Sequence, residues 1–155
     1  MKIRLLAIGQ GMPAWVRQGY EEYAKRLGRD LRLELVEIAA GHRGKSADLQ
    51  RTLREEGQAL LTARRAQEHL VALAIEGQAW STPDLAQQLR LWQGLGRDVC
   101  LVVGGPDGLS DAVLHAAGQH WSLSALTLPH PLVRVIVAEQ IYRAWTLLHG
   151  HPYHR

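Results

Sequence analysis

The sequence predicts one α/β domain: a parallel sheet with helices packed on both faces, a doubly wound α/β/α sandwich. Short apolar runs alternate with amphipathic helical stretches from end to end, the order that winds such a sheet. The run Val99–Val103 is apolar at all of its positions, as a parallel strand covered on both faces requires. A length of 155 residues fits a single domain and suffices to bury a core of its own.

Lys2–Ile8 is a short apolar run closed by Gly9 and reads as the first strand. Pro13 opens an amphipathic helix in which Trp15, Val16, Tyr20, Tyr23 and Leu27 recur at helical spacing, and Gly28 stops it. Residues 31–38 alternate, with Leu33, Leu35 and Glu37 on one side and Arg32, Glu34 and Val36 on the other, giving a strand with one wetter face. Residues 39–46 form a loop. Ser46 then caps a long helix reaching about residue 65, with Leu49, Leu53, Leu60 and Leu61 inward. A third strand spans 69–75 and leaves through Glu76-Gly77. Thr82 is the expected N-cap of the next helix, with Pro83 in its first turn and Leu85, Leu89 and Trp92 as its apolar stripe. After Val99–Val103 come a short helix over 110–117 and a brief strand over 121–123. Pro131 opens the last helix, which runs to about residue 149.

With 46% hydrophobic and 21% charged residues the chain has a globular balance, which excludes a disordered protein. The single cysteine, Cys100, cannot close an internal disulfide. Its neighbours are apolar, so it reads as core rather than as a thiolate nucleophile. The first residues are too charged for a signal peptide, and no apolar run approaches the roughly 20 residues of a membrane helix. A soluble, cytoplasmic protein with no membrane partner is expected. The net charge of +3 is only mildly basic. Such a chain holds naked RNA weakly, and needs a second subunit or a large structured partner to collect phosphate contacts.

Ligands of open parallel sheets bind outside the carboxyl ends of the strands, and three such ends carry unusual residues. Val103 runs into Gly104-Gly105-Pro106-Asp107-Gly108, where two glycines bare the backbone and admit a flat ligand. A tight turn explains the same pair, and no dinucleotide fingerprint follows the first strand. The stretch Ser122-Leu123-Ser124-Ala125-Leu126-Thr127-Leu128-Pro129-His130-Pro131 is too apolar for an exposed loop and too irregular for a strand. As a buried loop it must satisfy its backbone polar groups; an adenine edge and packing under the last helix are equally natural partners. At the third end, Leu73 and Ile75 serve as walls of an apolar pocket or simply as core.

Four segments carry a resemblance. They are Leu101-Val102-Val103-Gly104-Gly105-Pro106-Asp107-Gly108-Leu109, the stretch from Trp121 to Val135, Glu139-Gln140-Ile141-Tyr142-Arg143-Ala144-Trp145, and the ending His151-Pro152-Tyr153-His154-Arg155. Together they resemble the ribosomal RNA large subunit methyltransferase H family, whose members are SPOUT-class pseudouridine N3-methyltransferases. The likeness covers the whole chain, including Gly9, Met12-Pro13 and Trp15 near its start. It implies a C-terminal trefoil knot, an exception to the rule against threaded chains, with knot and cofactor loop in about residues 100–155. It further implies S-adenosylmethionine as methyl donor, held by Leu73, Gly104, Gly105, Ser124, Ala125, Leu126, Thr127, Leu128 and Pro129. The same resemblance implies a homodimer in which each active site is completed by the other subunit.

The last helix is apolar almost all round, which asks for burial on more than one side; a dimer interface would supply it. Glu139 and Arg143 are spaced to pair, while the resemblance gives Arg143 a place near the donor methyl. The resemblance also orders the tail over the target base, with Tyr153 stacking, Arg155 on phosphate and His154 as base. Tyr153 and water remain alternative bases. A neutral histidine is available to take the N3 proton at pH 7. Arg43 and Lys45 form a flexible basic loop suited either to solvent or to RNA phosphate. The tail histidines have no cysteine or carboxylate beside them in sequence to complete a zinc site, so no metal is expected. The substrate expected is a pseudouridine of large-subunit ribosomal RNA on the assembled ribosome. A transfer RNA methyltransferase of the same class and a non-catalytic knotted RNA-binding factor are the rivals.

Overall fold

The computed structural model describes residues 1–45 and 48–155. In chain order the elements are β1 (Lys2–Ile8), α1 (Ala14–Ala24), β2 (Arg32–Ile38), α2 (Leu49–Ala63), β3 (His69–Ala79), α3 (Thr82–Gly94), β4 (Val99–Val103), α4 (Asp111–Ala116), β5 (Gln119–Ser122) and α5 (His130–Leu148), with a 3-10 turn at Pro152–His154. The five strands form one parallel sheet in the order β2-β1-β4-β3-β5.

Strand alternation sorts the core into two layers. Ile3, Leu5 and Ala7 of β1, with Val99, Leu101 and Val103 of β4, face α1, α3 and α5. Leu6, Ile8, Cys100 and Val102 face α2 and α4. Each of these side chains is at most 6% exposed, as the continuous apolar runs required. Five parallel strands with helices on both faces, in one domain, are what the sequence predicted.

Several boundaries differ, for physical reasons. The third strand does not leave the sheet at Glu76-Gly77. It bulges over residues 74–77 and pairs again with β5, so that both Leu73 and Gln78 stand opposite Trp121. Gly77 permits this, because a β-carbon there would come 2.7 Å from the carbonyl carbon of His120. Ser81, not Thr82, caps α3. Its hydroxyl accepts from the Asp84 N–H at 3.2 Å and the Asp84 carboxylate accepts from the Ser81 N–H at 3.0 Å, a reciprocal capping box. Thr82 instead donates to Gln140 at 2.9 Å, tying α3 to α5. The expected Ser46 cap lies outside the described residues, and Asp48 accepts from the Arg51 N–H at the start of α2. Leu49 is exposed rather than inward, because the buried stripe of α2 runs through Thr52, Glu56 and Leu60.

Helix α5 sits between α1 and α3 over the sheet, with Val137, Ala138, Ile141 and Ala144 in the core. Gly19 of α1 lets it come close: a β-carbon there would meet Val135 at 3.2 Å. None of residues 131–148 is exposed in the single chain, so α1, α3 and the sheet already account for the helix's apolar girth. At its start, Arg134 is 1% exposed and donates to the carbonyls of Gly9 (2.7 Å) and Ile8 (3.3 Å) and to Glu37 (2.6 Å). That guanidinium anchors α5 at the carboxyl ends of β1 and β2. The segment 123–129 must therefore cross the ends of the intervening strands between edge strand β5 and this anchor.

Candidate active site

The crossing segment roofs a cleft of about 440 Å³ at the carboxyl ends of β3, β4 and β5. Of the residues expected there, Leu73, Gly104, Gly105, Ser124, Leu126, Thr127 and Leu128 line it; Ala125 and Pro129 lie in the same loop without lining the cleft. The glycine pair does what its sequence suggested. A β-carbon on Gly104 would fall 2.2 Å from the Gly108 carbonyl oxygen, so only glycine fits there. The turn closes with the Gly108 N–H donating to the Gly105 carbonyl at 3.1 Å, and Gly108 has a φ of +81°. Opposite it, residues 74–76 also line the cleft. They stand outside the strand pairings, which leaves N–H and C=O groups for a ligand edge.

Sequence reasoning missed four residues of this cleft. Asp107 sits at the tip of the glycine turn and Trp121 forms part of the wall, stacked on Trp80 with ring centroids 5.4 Å apart. Val133 and His130 come from the first turn of α5. The His130 Nδ1 is sealed from solvent and makes no hydrogen bond within the chain. Burial, then the charges of Arg134 and Arg43, push His130 below the usual histidine range, so its ring is neutral at pH 7. The Pro-His-Pro setting in the sequence was the available signal for His130.

Arg43 is not part of a free basic loop. Its guanidinium makes two 2.7 Å bonds to Glu56, whose side chain is 4% exposed, and its Nε donates to Asp107 at 2.9 Å. These carboxylates hold its proton more firmly than usual. Lys45 is exposed.

The tail folds back on α5. Glu139 accepts from Arg143 Nε at 2.8 Å and from the Tyr153 hydroxyl at 3.1 Å, and the Arg143 guanidinium lies 4.9 Å from the centre of the Tyr153 ring. The Glu139–Arg143 pair expected from spacing is therefore present. Burial, reinforced by the Glu139 bond, pushes the Tyr153 hydroxyl up to about 12. The Nδ1 of His154 is buried without a hydrogen-bond partner, and Arg155 is exposed. Within one chain these groups do not meet the cleft. Glu139, which holds Tyr153, lies nine residues along α5 from the cleft-lining His130, about 14 Å of helix. Among the described residues, no three His, Cys, Asp or Glu side chains converge as metal ligands, and no helix is long and apolar enough to cross a membrane.

A family model described as "Predicted SPOUT methyltransferase" matches residues 1–154. Three relatives named "Ribosomal RNA large subunit methyltransferase H" align with the whole chain. They come from Hahella chejuensis (57% identity, 99% of the relative covered), Chromohalobacter salexigens (59%, 100%) and Methylococcus capsulatus (56%, 100%). Among solved structures, a methylase family protein of Haemophilus influenzae superposes with a TM-score of 0.58 at 14% identity, covering 99% of this chain and 70% of that one. A second, from Neisseria gonorrhoeae, gives 0.53 at 17% identity, covering 90% and 81%. At such identities these two likenesses concern the fold alone.

Proposed function

The chain belongs to the SPOUT methyltransferase family and, within it, to the ribosomal RNA large subunit methyltransferases H, and on that premise we propose that it methylates N3 of a pseudouridine in large-subunit ribosomal RNA on the assembled ribosome, in the cytoplasm. The observation that carries this reading is the cleft at the strand ends, built from the glycine turn and the apolar loop.

The cleft suits S-adenosylmethionine. Its volume lies in the range of small-molecule sites, roughly 300–1,000 Å³. Gly104 and Gly105 bring bare backbone to the surface where a β-carbon would intrude, and residues 74–76 offer unpaired backbone groups to the adenine. The neutral His130 adds a polar group at the α5 end. When bound, S-adenosylmethionine supplies an electrophilic methyl group on a sulfonium. Leu73, the turn and residues 124–129 hold it, the last of these as part of a threaded C-terminal segment.

The remaining work falls to the tail. N3 of pseudouridine carries a proton and is a poor nucleophile until the proton leaves. His154 takes it, its Nδ1 making no bond within the chain. Tyr153 does not serve as base, since a hydroxyl that keeps its proton to about 12 is a phenol at neutral pH. Its ring stacks on the target base while Glu139 and Arg143 fix its orientation. Arg155 and Lys45 contact phosphate. Holding N3 in line with the methyl group supplies most of the acceleration. Because the tail and the cleft of one chain lie apart, the tail of one copy serves the cleft of a second, in a homodimer.

The test is product identity together with subunit mixing. Large-subunit ribosomal RNA from treated ribosomes, digested and examined by mass spectrometry, should contain N3-methylpseudouridine. A Gly104→Ala chain mixed with a His154→Ala chain should regain activity that neither has alone. Methyl groups on another nucleoside would refute the chemistry, and failure of mixing would refute the composite site.

A further inference from the structure

Arg43 was expected on the RNA, yet its guanidinium lies beneath the cleft. We infer that Arg43 is a positioning residue for the glycine turn 104–108, fixing the height at which that turn meets the methyl donor. The inference rests on the cofactor reading above.

Three contacts define the arrangement. On one side the guanidinium is gripped by both oxygens of Glu56, at 2.7 Å each. Glu56 is buried on α2 and also accepts from the Gly41 N–H at 2.9 Å, so it is a fixed anchor. On the other side Nε donates to Asp107, at the tip of the turn, at 2.9 Å. Between them the guanidinium lies directly under Gly105: a β-carbon on that residue would come 3.3 Å from Arg43 Nη2. One planar group thus spans from α2 to the turn. A lysine ammonium is a point charge and cannot bridge two carboxylates held in this fork geometry.

The alternative, an RNA contact, fits the geometry less well. The Arg43 side chain is 23% exposed, and its Nε and both terminal nitrogens already donate to Glu56, Asp107 and the Gly41 carbonyl. Lys45, two residues on and exposed, is the better placed cation of that loop.

A double-mutant cycle on the full-length chain tests the inference. Arg43→Lys keeps a cation beside the buried Glu56, and Asp107→Ala cuts the link at the more exposed end and leaves the Glu56 pair whole. Binding of S-adenosylmethionine is measured by calorimetry for wild type, both single variants and the double variant. Each single change should weaken binding on the order of fivefold to tenfold, and the double variant should bind no more weakly than the weaker single one, since both cut the same link. In turnover assays KM for the donor should rise in Arg43→Lys while kcat stays within about twofold. RNA affinity and its salt dependence should be unchanged. Unaltered donor affinity in Arg43→Lys overturns the inference and leaves the cofactor reading standing. So do single effects that multiply in the double variant. A salt slope reduced by about one, with donor affinity intact, returns Arg43 to the RNA. Absence of saturable binding to the wild type overturns both readings.

Discussion

Replacing Gly104 with alanine puts a methyl carbon 2.2 Å from the Gly108 carbonyl oxygen and 2.4 Å from its carbonyl carbon. Comfortable contact between such atoms begins near about 3.5 Å, so one side of the turn has to retreat by roughly 1 Å. Both obstructing atoms are backbone, which cannot swing aside as a side-chain end does. The φ of Gly104 is not positive, so the effect is purely steric. Gly105→Ala is the control. There the nearest atoms, Arg43 Nη2 and Ile8 Cγ2, are both at 3.3 Å and need yield only slightly. Overpacking of the Gly104 kind costs about 1–3 kcal/mol, or about 3–9 °C of Tm for a chain of this size. A displacement of about 1 Å in a positioning group costs up to about 100-fold. Affinity for S-adenosylmethionine should therefore fall tenfold to a hundredfold, by an estimate of about that order, in Gly104→Ala, and by less than about threefold in Gly105→Ala. Calorimetric titration with parallel thermal melts measures both. Donor affinity of Gly104→Ala equal to wild type, or a larger loss at Gly105, would refute the assignment of this turn.

Three further outcomes are expected. Arg134→Leu removes the bonds that hold the start of α5 to Gly9, Ile8 and Glu37. It should cost about 2–4 kcal/mol in urea unfolding, and a loss below about 1 kcal/mol would show that α5 does not depend on this anchor. Glu139→Gln weakens the hold on Arg143 and Tyr153; kcat should fall at least about tenfold while donor affinity is kept, and a reversed pattern in steady-state and binding assays would move Glu139 to the cofactor. Burial pushes the Cys100 thiol from its ordinary 9.0 up to about 12, and Tyr153 rises from 10.0 to about 12. The native state thus keeps protons that the unfolded chain gives up, so stability is full below about pH 9 and declines as pH rises toward 12. Urea midpoints at several alkaline pH values check this, and a midpoint that does not move would contradict it. At pH 8 iodoacetamide should label Cys100 only after unfolding.

Patterns that depend on strand period and strand ends were legible in the sequence. The apolar run Val99–Val103, the glycine pair behind it and the apolar loop 123–129 depend on rules that act within a few residues, and the cleft assembles from them. What escaped was set by partners distant in the chain. Arg43 reads as a loop cation until the fold brings Asp107, 64 residues away, against it. Leu49 fits a helical stripe, but Arg43 draws Glu56 inward and rotates the buried face of α2 accordingly. The continuation of β3 past Leu73 depends on re-pairing with Trp121 across a bulge that no local period announces. The all-round apolarity of α5, which suggested a second subunit, is satisfied by α1 and α3. The case for two copies rests instead on the separation of tail and cleft.

The central claim is methyl transfer to large-subunit ribosomal RNA. It is tested most directly with labelled S-adenosylmethionine and three acceptors: assembled ribosomes from cells lacking this protein, free ribosomal RNA and transfer RNA. The account predicts label in the ribosomes, mapped to a single pseudouridine of the large-subunit RNA, with little in free RNA because a mildly basic chain needs a structured partner. Label in transfer RNA, or none in any acceptor despite saturable donor binding, would contradict it.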